Sequence, residues 1–215
     1  MTDLENIKEA VVTGKLKEIS LLVQTALDKG ADPQNIIDNY LIDAMKEVGA
    51  RFEANKIFVP EMMIAARTMQ TGLAVIEPLM AGDNRKLEKL GTVVVGTVLG
   101  DLHDIGKNLV VLMLESSGFN VVDIGVNVPV ETFVDRAGEL DADIVGISSL
   151  LTTGDANMKI TVAALKNGGL KENVKIICGG AAVFEERALD NWGADGYAQD
   201  AASAVRVAKK LLGKD

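Results

Sequence analysis

Only one cysteine, Cys178, and one histidine, His103, occur among the 215 residues. A single thiol cannot close an internal disulfide, which points to a reducing, cytoplasmic setting. A hydrolytic zinc centre needs several protein ligands, and one imidazole with scattered carboxylates is a poor start. No second histidine is available to activate Cys178, which the pattern places at the end of a buried strand, where thiols are inert. Basic residues are scarce as well: 22 Lys and Arg stand against 31 Asp and Glu, for a net charge of -9. Without a basic stripe to neutralise phosphates, nucleic acid is excluded as a partner. No apolar run approaches the roughly 20 residues that span a bilayer, and Met1-Thr2-Asp3-Leu4-Glu5 lacks the basic start of a signal peptide, so no membrane association is expected.

What the chain does have is apolar content, 48% of its residues, enough to bury one large core or two modest ones. From Leu4 to about Ala81 the apolar residues recur at three and four: Leu16, Ile19, Leu22, Val23 and Leu27, then Ile36, Ile37, Leu41, Met45 and Val48. That spacing predicts helices and no strand. Asp32-Pro33 reads as an N-cap with proline at the first helical position, and Pro60 opens a further helix. Four helices are expected, as a small bundle. Between the third and fourth, over Val48 to Glu61, the bulky residues Phe52, Ile57, Phe58 and Val59 crowd a connection that would ordinarily be polar. Singly, each reads as a staple between helices; together they suggest an apolar surface kept for something outside the bundle.

A charged, flexible stretch follows, and after it the grammar changes. Short β-branched runs at Thr92 to Leu99, Asn120 to Ile124, Asp143 to Ser148 and Val174 to Cys178 alternate with helical stretches, and a weaker fifth strand is expected at Asp195 to Ala198. Strands separated by helices imply a parallel, doubly wound, five-stranded sheet. The expected organisation is a helical bundle over 1–82, a linker over 83–90 and an α/β domain over 91–215. In such sheets the loops at the carboxyl ends of the strands line one crevice. Here they are Asp101 to Gly106, Gly125 to Pro129, Ser148 to Gly154, and Gly179 to Ala182.

The first of these loops carries His103, flanked by Asp101 and Asp104, either of which could receive one ring nitrogen while the other nitrogen binds a metal. The alternative is a loop histidine that caps the following helix. Gly100 to Gly106 is not a phosphate-binding P-loop, because it encloses one residue too many and Lys107 is followed by Asn108. The glycines of Gly91 to Gly96 lie before and within the strand, so this is not a dinucleotide fingerprint. Any metal on His103 must bring most of its own ligands, as a macrocycle does.

Three spaced elements, Asp101-Leu102-His103-Asp104-Ile105-Gly106, Ser148-Ser149-Leu150 and Gly179-Gly180, resemble the Asp-x-His-x-x-Gly, Ser-x-Leu and Gly-Gly pattern of cobalamin-binding proteins. The helical half, with Phe52-Glu53 and Phe58-Val59-Pro60-Glu61, resembles the cap bundle that precedes the cobalamin domain in methionine synthase and in small corrinoid proteins. The nearest likeness is to stand-alone corrinoid proteins of methyl transfer.

The resemblance implies a cofactor, cobalamin as methylcobalamin and cob(I)alamin or a related corrinoid. It implies a Rossmann-like domain in which His103 replaces the cofactor's dimethylbenzimidazole beneath the cobalt. Asp101 would orient and polarise that imidazole, with Leu102, Asp104, Ile105 and Gly106 completing the motif. Ser148 would hydrogen-bond the base of the displaced nucleotide tail, Gly179 and Gly180 would leave it room, Thr152 would touch the corrin or its tail, and Leu150 would be a further cofactor-binding residue. Phe52 and Val59 would cover the methyl-bearing face. No side chain is implied as catalytic, because cobalt performs the transfer.

The implied function is a corrinoid methyl carrier. It would take methyl from a methylamine, betaine, methanol or methoxylated aromatic through one methyltransferase, and pass it to tetrahydrofolate or coenzyme M through another. A reductive activase would restore oxidised cobalt, and the bundle would swing aside on a hinge at Asp83 to Lys89. A mutase small subunit would share the histidine motif without needing the Phe52 to Val59 cap. A cobalamin-sensing regulator would want a DNA-binding module, and a storage protein is the remaining alternative. The likeness breaks at Gly154, where methionine synthase has a serine; the expectation is that no hydroxyl ends the His103-Asp101 pair, and that Asp101 communicates with solvent directly or through Asp104.

Overall fold

The computed structural model describes residues 3–82, 89–170 and 174–214. The chain divides into two compact units, one helical and ahead of Lys89, the other built from Lys89 onward with the turn Ser116–Gly118 excepted. Of the expected linker, residues 83–88 lie outside the described residues, and with them nearly all of the expected hinge. Among the described residues, no helix is long and apolar enough to cross a membrane.

The helical unit contains α1 (Asp3–Val12), α2 (Ile19–Asp28), α3 (Pro33–Ile36), which runs through a π-helical segment (Ile37–Ile42) into α4 (Asp43–Glu53), and α5 (Val59–Gly82). Asp32 caps α3 as expected, its carboxylate accepting the Asn35 N–H at 2.9 Å with Pro33 at the first helical position. Ile7, Val11, Ile19, Val23, Leu41, Met45, Val48, Met62 and Met69 are buried, so the three-four spacing is the core stripe of the bundle. Leu16 departs from it: it lies in the connection ahead of α2 and is exposed.

The connection expected across Val48 to Glu61 is shorter than the sequence suggests, because helical periodicity continues to Glu53 and resumes at Val59. Phe52 therefore sits in the last turn of α4 and Val59 opens α5. Of the four bulky residues, Phe52, Ile57 and Val59 are half-buried and Phe58 alone is exposed. The Phe58 N–H donates to Glu61 Oε2 at 2.7 Å, closing the first turn of α5.

The second unit alternates β1 (Thr92–Thr97), α6 (Ile105–Glu115), β2 (Asn120–Asp123), α7 (Val130–Glu139), β3 (Ile144–Ser148), α8 (Asp155–Asn167), β4 (Lys175–Gly179), β5 (Gly196–Ala198) and α9 (Ala201–Leu211). All neighbouring strands are parallel, in the order β2-β1-β3-β4-β5. Alternate residues of β1 face opposite ways. Val94 joins the layer of Phe133, Met158 and Val162 from α7 and α8, while Val93 and Val95 join that of Leu114, Ala204 and Ala208 from α6 and α9. Helices on both faces explain why these strands read as nearly continuous apolar runs.

The strand order reverses at β1, which has β2 on one side and β3 on the other. The loops leaving β1 and β3 therefore diverge above a topological switch point, where doubly wound sheets bind ligands. Thr97 pairs with Ser148 at the ends of these two strands, so the segments carrying His103 and Ser149 emerge side by side.

Candidate functional site

The loop after β1 turns at Gly100, whose φ of +85° suits glycine, and the Asp101 N–H returns to the Val98 carbonyl at 3.1 Å. This directs Asp101 inward, where it is 1% exposed. Its carboxylate divides its acceptors between two loops. Oδ1 takes the His103 backbone N–H at 2.9 Å and lies 2.7 Å from His103 Nδ1. Oδ2 takes the Ser149 hydroxyl at 2.9 Å and the Leu150 N–H at 2.7 Å.

Burial alone would push the Asp101 carboxyl up. The His103 backbone and ring donors, the Leu150 N–H and the Ser149 hydroxyl more than offset it, holding the group at about 2. An ionised carboxylate only accepts, so the proton on the facing imidazole belongs on Nδ1. The lone pair of Nε2 is thereby directed away from Asp101, on a side chain 52% exposed. Asp101 fixes both the tautomer and the orientation of a would-be ligand.

The neighbouring loop positions expose apolar side chains beside one carboxylate, Asp104. Leu102 and Ile105, on either side of His103 in the chain, are 72% and 83% exposed, and Leu150 is exposed as well. Among the described residues, no group of three or more His, Cys, Asp or Glu could hold a metal ion. A bare cation would find one protein ligand here. The site suits a metal that would arrive with most of its ligands supplied by a macrocycle, and His103, backed by Asp101, fits a corrinoid.

A hydroxyl does end the His103-Asp101 pair, which corrects the expectation drawn from Gly154. It belongs to Ser149, and the reason is steric. A methyl group added at Gly154 would fall on Ser149 Oγ, so one chain position can supply an oxygen there only if the other is bare. Ser149 Oγ also lies 3.2 Å from the Leu151 carbonyl, a second acceptor for its proton. Asp104, the other expected outlet, instead accepts from Asn108 Nδ2 at 3.1 Å on the exposed side of α6.

The remaining expected residues spread along the same edge. Ser148 is half-buried at the end of β3, Thr152 is exposed at the start of a turn (Thr152–Gly154) that ends on buried Gly154, and Gly106 is exposed in the first turn of α6. Gly179 accepts the Ser149 N–H at 3.1 Å on its carbonyl. Gly180, at φ +117°, passes so near the Ser149 backbone that any side chain would collide with its carbonyl. The glycine pair thus seats Ser149 whatever else it accommodates. Phe52 and Val59 belong to the helical unit described above. Cys178 is buried, and burial followed by the Asp195 charge pushes its thiol up to about 12, which leaves it inert.

Three supporting residues escaped the sequence. Ser149 was hidden beside Ser148 in a doublet, and its only signal was the glycine five positions later. Thr97, fully buried at the end of β1, donates its hydroxyl to the His103 carbonyl at 3.0 Å. Lys107 is a 2% exposed cation in the first turn of α6, the end where a helix disfavours positive charge; it pairs with Asp123 and donates to Asn108 Oδ1 at 2.7 Å.

Two outcomes follow from this geometry. Gly154→Ala should cost about 1–3 kcal/mol in urea unfolding. In a Ser149→Ala background it should cost far less, because the clash with Oγ is gone and the new methyl meets the Ser149 Cβ position at 3.2 Å and Val98 Cγ2 at 3.6 Å. The second outcome concerns acid. Asp101 sits below its ordinary value of 3.8, so its stabilisation is complete above about pH 4 and is lost as pH falls through about 2. The difference in unfolding free energy between wild type and Asp101→Asn should therefore shrink by about 2 kcal/mol over that interval.

Two family models, each described as a B12 binding domain, match residues 91–206 and 3–77. A dimethylamine corrinoid protein of Methanosarcina barkeri is 43% identical over 210 residues, covering 97% of each chain. The crystal structure of a cobalamin-binding protein from Desulfitobacterium hafniense superposes with a TM-score of 0.81 at 33% identity, over 98% of this chain and 99% of that one. The methanol:cobalamin methyltransferase complex of M. barkeri matches with a TM-score of 0.85 at 28% identity, over 99% of this chain and 80% of that one. With one B12-binding model on its helical unit and another on its α/β unit, the chain belongs to the B12-binding family, and a corrinoid is its cofactor.

Proposed function

We propose that this protein is a methyl carrier that holds its corrinoid with the lower base displaced and His103 Nε2 in its place. The observation that carries this reading is the imidazole itself: Nδ1 is committed to a buried carboxylate, while the ring stands half-exposed on a loop whose Leu102 and Ile105 are exposed as well. When bound, the cobalt supplies both the nucleophile that accepts a methyl group and the centre that releases it. The chain's residues supply the rest. Asp101 holds the Nδ1 proton so that Nε2 remains a donor through ligand binding and release, and Ser149 keeps the carboxylate aimed. Leu102, Ile105 and Leu150 present an apolar seat, with Asp104 and Gly106 completing the loop.

In this reading Ser148, Thr152, Gly179 and Gly180 border the displaced nucleotide tail. Phe52 and Val59 shield the methyl-bearing face from water, and the domains divide as 1–82 and 91–215 about a linker at 83–90. The relatives named for dimethylamine and the structure named for methanol support a methylated amine or methanol as donor, in the set that also holds betaine and methoxylated aromatics. A substrate-specific methyltransferase would load the carrier, and a second one would unload it to tetrahydrofolate or coenzyme M. A reductive activase would return oxidised cobalt to service. The setting is cytoplasmic, in keeping with the lone reduced thiol.

Reconstitution with methylcobalamin tests the ligand. Wild type should bind it with the visible spectrum of a nitrogen-ligated cofactor. His103→Ala, folded by circular dichroism, should give the spectrum of a cofactor lacking that ligand, and an unchanged spectrum would overturn the assignment. A separate measurement addresses the shield. Phe52→Ala should lose its methyl group faster under light than wild type, and equal photolysis rates would reduce Phe52 to a packing residue.

A further inference from the structure

The loop after β2 is not idle. Asn127 has a left-handed backbone, φ +53°, a conformation that asparagine tolerates better than most side chains. In it the residue grips the loop after β1 at two points. Its Oδ1 accepts the Gly100 N–H at 2.8 Å, and its own N–H donates to the Asp101 carbonyl at 2.9 Å. The residues on either side of the Gly100-Asp101 peptide are thus tied to a single asparagine. The Asp101 N–H is tied to Val98, which leaves the Asp101 backbone little freedom to turn.

Asn127 is itself held. The Val128 N–H donates to the Thr97 carbonyl at 3.0 Å, and the Thr97 N–H donates to the Gly125 carbonyl at 3.0 Å. Asp123, which pairs with buried Lys107, accepts the Gly125 N–H at 2.9 Å. A buried cation is costly to keep, and here it ends a connected path: Lys107 to Asp123, Asp123 to Gly125, and two residues on, Asn127 to Gly100 and Asp101.

We propose that Asn127 is a positioning residue for the metal ligand: by fixing the Gly100-Asp101 peptide it aims the Asp101 carboxylate, and so keeps His103 in the Nδ1–H form with Nε2 available. The tautomer claim concerns the apoprotein and stands apart from the corrinoid; its meaning for cobalt rests on the reading above. Asn127→Gly keeps access to positive φ and the backbone donor while deleting only the side-chain bond. Asn127→Asp restores an acceptor in a residue that also tolerates the left-handed region.

His103 is the sole histidine, so ¹⁵N spectra of histidine-labelled protein report one imidazole and its tautomer without overlap. In full-length apoprotein at a pH where the ring is neutral, wild type should be mainly Nδ1–H. Asn127→Gly should raise the Nε2–H to Nδ1–H ratio by about threefold or more, the effect of losing one hydrogen bond, and Asn127→Asp should return it towards wild type. A ratio unchanged in Asn127→Gly, or one that Asn127→Asp leaves as altered as Asn127→Gly does, overturns the proposal.

Wild type gives a second check that needs no variant to fold. The Gly100 amide, in an exposed turn, should exchange with deuterium about tenfold or more slower than an open loop amide, and free exchange there overturns the proposal. Methylcobalamin added to the same samples separates the two readings. If wild type retains dimethylbenzimidazole on cobalt, the ligand reading fails while the apoprotein spectra still decide the role of Asn127.

Discussion

An ionised carboxylate taken out of water must be compensated, and Asp101 shows how much structure that requirement organises. Left without partners, a buried charge costs several kcal/mol and would take up a proton instead. Four donors prevent this, and they come from two loops: the backbone and ring of His103 from one, the hydroxyl of Ser149 and the amide of Leu150 from the other. The residue thus bolts together the segments that leave β1 and β3 where the strand order reverses. It also sets the chemistry of the imidazole, because a carboxylate can only accept. The orientation of Nε2 is a consequence of satisfying Asp101.

The fold was legible because its signals are local. Period-three-four apolar spacing and the Asp32-Pro33 start are properties of short windows, and they give the bundle. Short β-branched runs between helices give a parallel sheet, and the five strands fall within a residue or two of their expected ends. The error over Val48 to Glu61 is of the same origin. Four bulky side chains drew the connection out over Val48 to Glu61, but a helix tolerates Phe52 in its last turn as readily as a loop does, and periodicity blurs at helix ends.

The site was legible only in part, for a physical reason. His103 and Asp101 are two residues apart, and such a pair can be read from the chain. Ser149 lies 48 residues from Asp101, and its place depends on an absence, the missing side chain at Gly154. A sequence records that a serine is gone from one position without recording that its oxygen has been supplied from another. Lys107 and Asn127 are hidden in the same way. Their partners, Asp123 and Gly100, are brought near by the packing of β2 beside β1, which no pattern within either segment announces. Family resemblance points to residues expected to meet the cofactor; the brace behind them is a property of the folded chain.

The account stands or falls on which nitrogen binds cobalt. Electron paramagnetic resonance of the loaded protein in the cobalt(II) state, prepared with ¹⁵N-histidine and unlabelled cobalamin, measures this directly. His103 as the axial ligand predicts that each cobalt line splits into a doublet, the mark of ¹⁵N. A triplet from unlabelled nitrogen would mean that the cofactor has kept its own base, and would contradict the account.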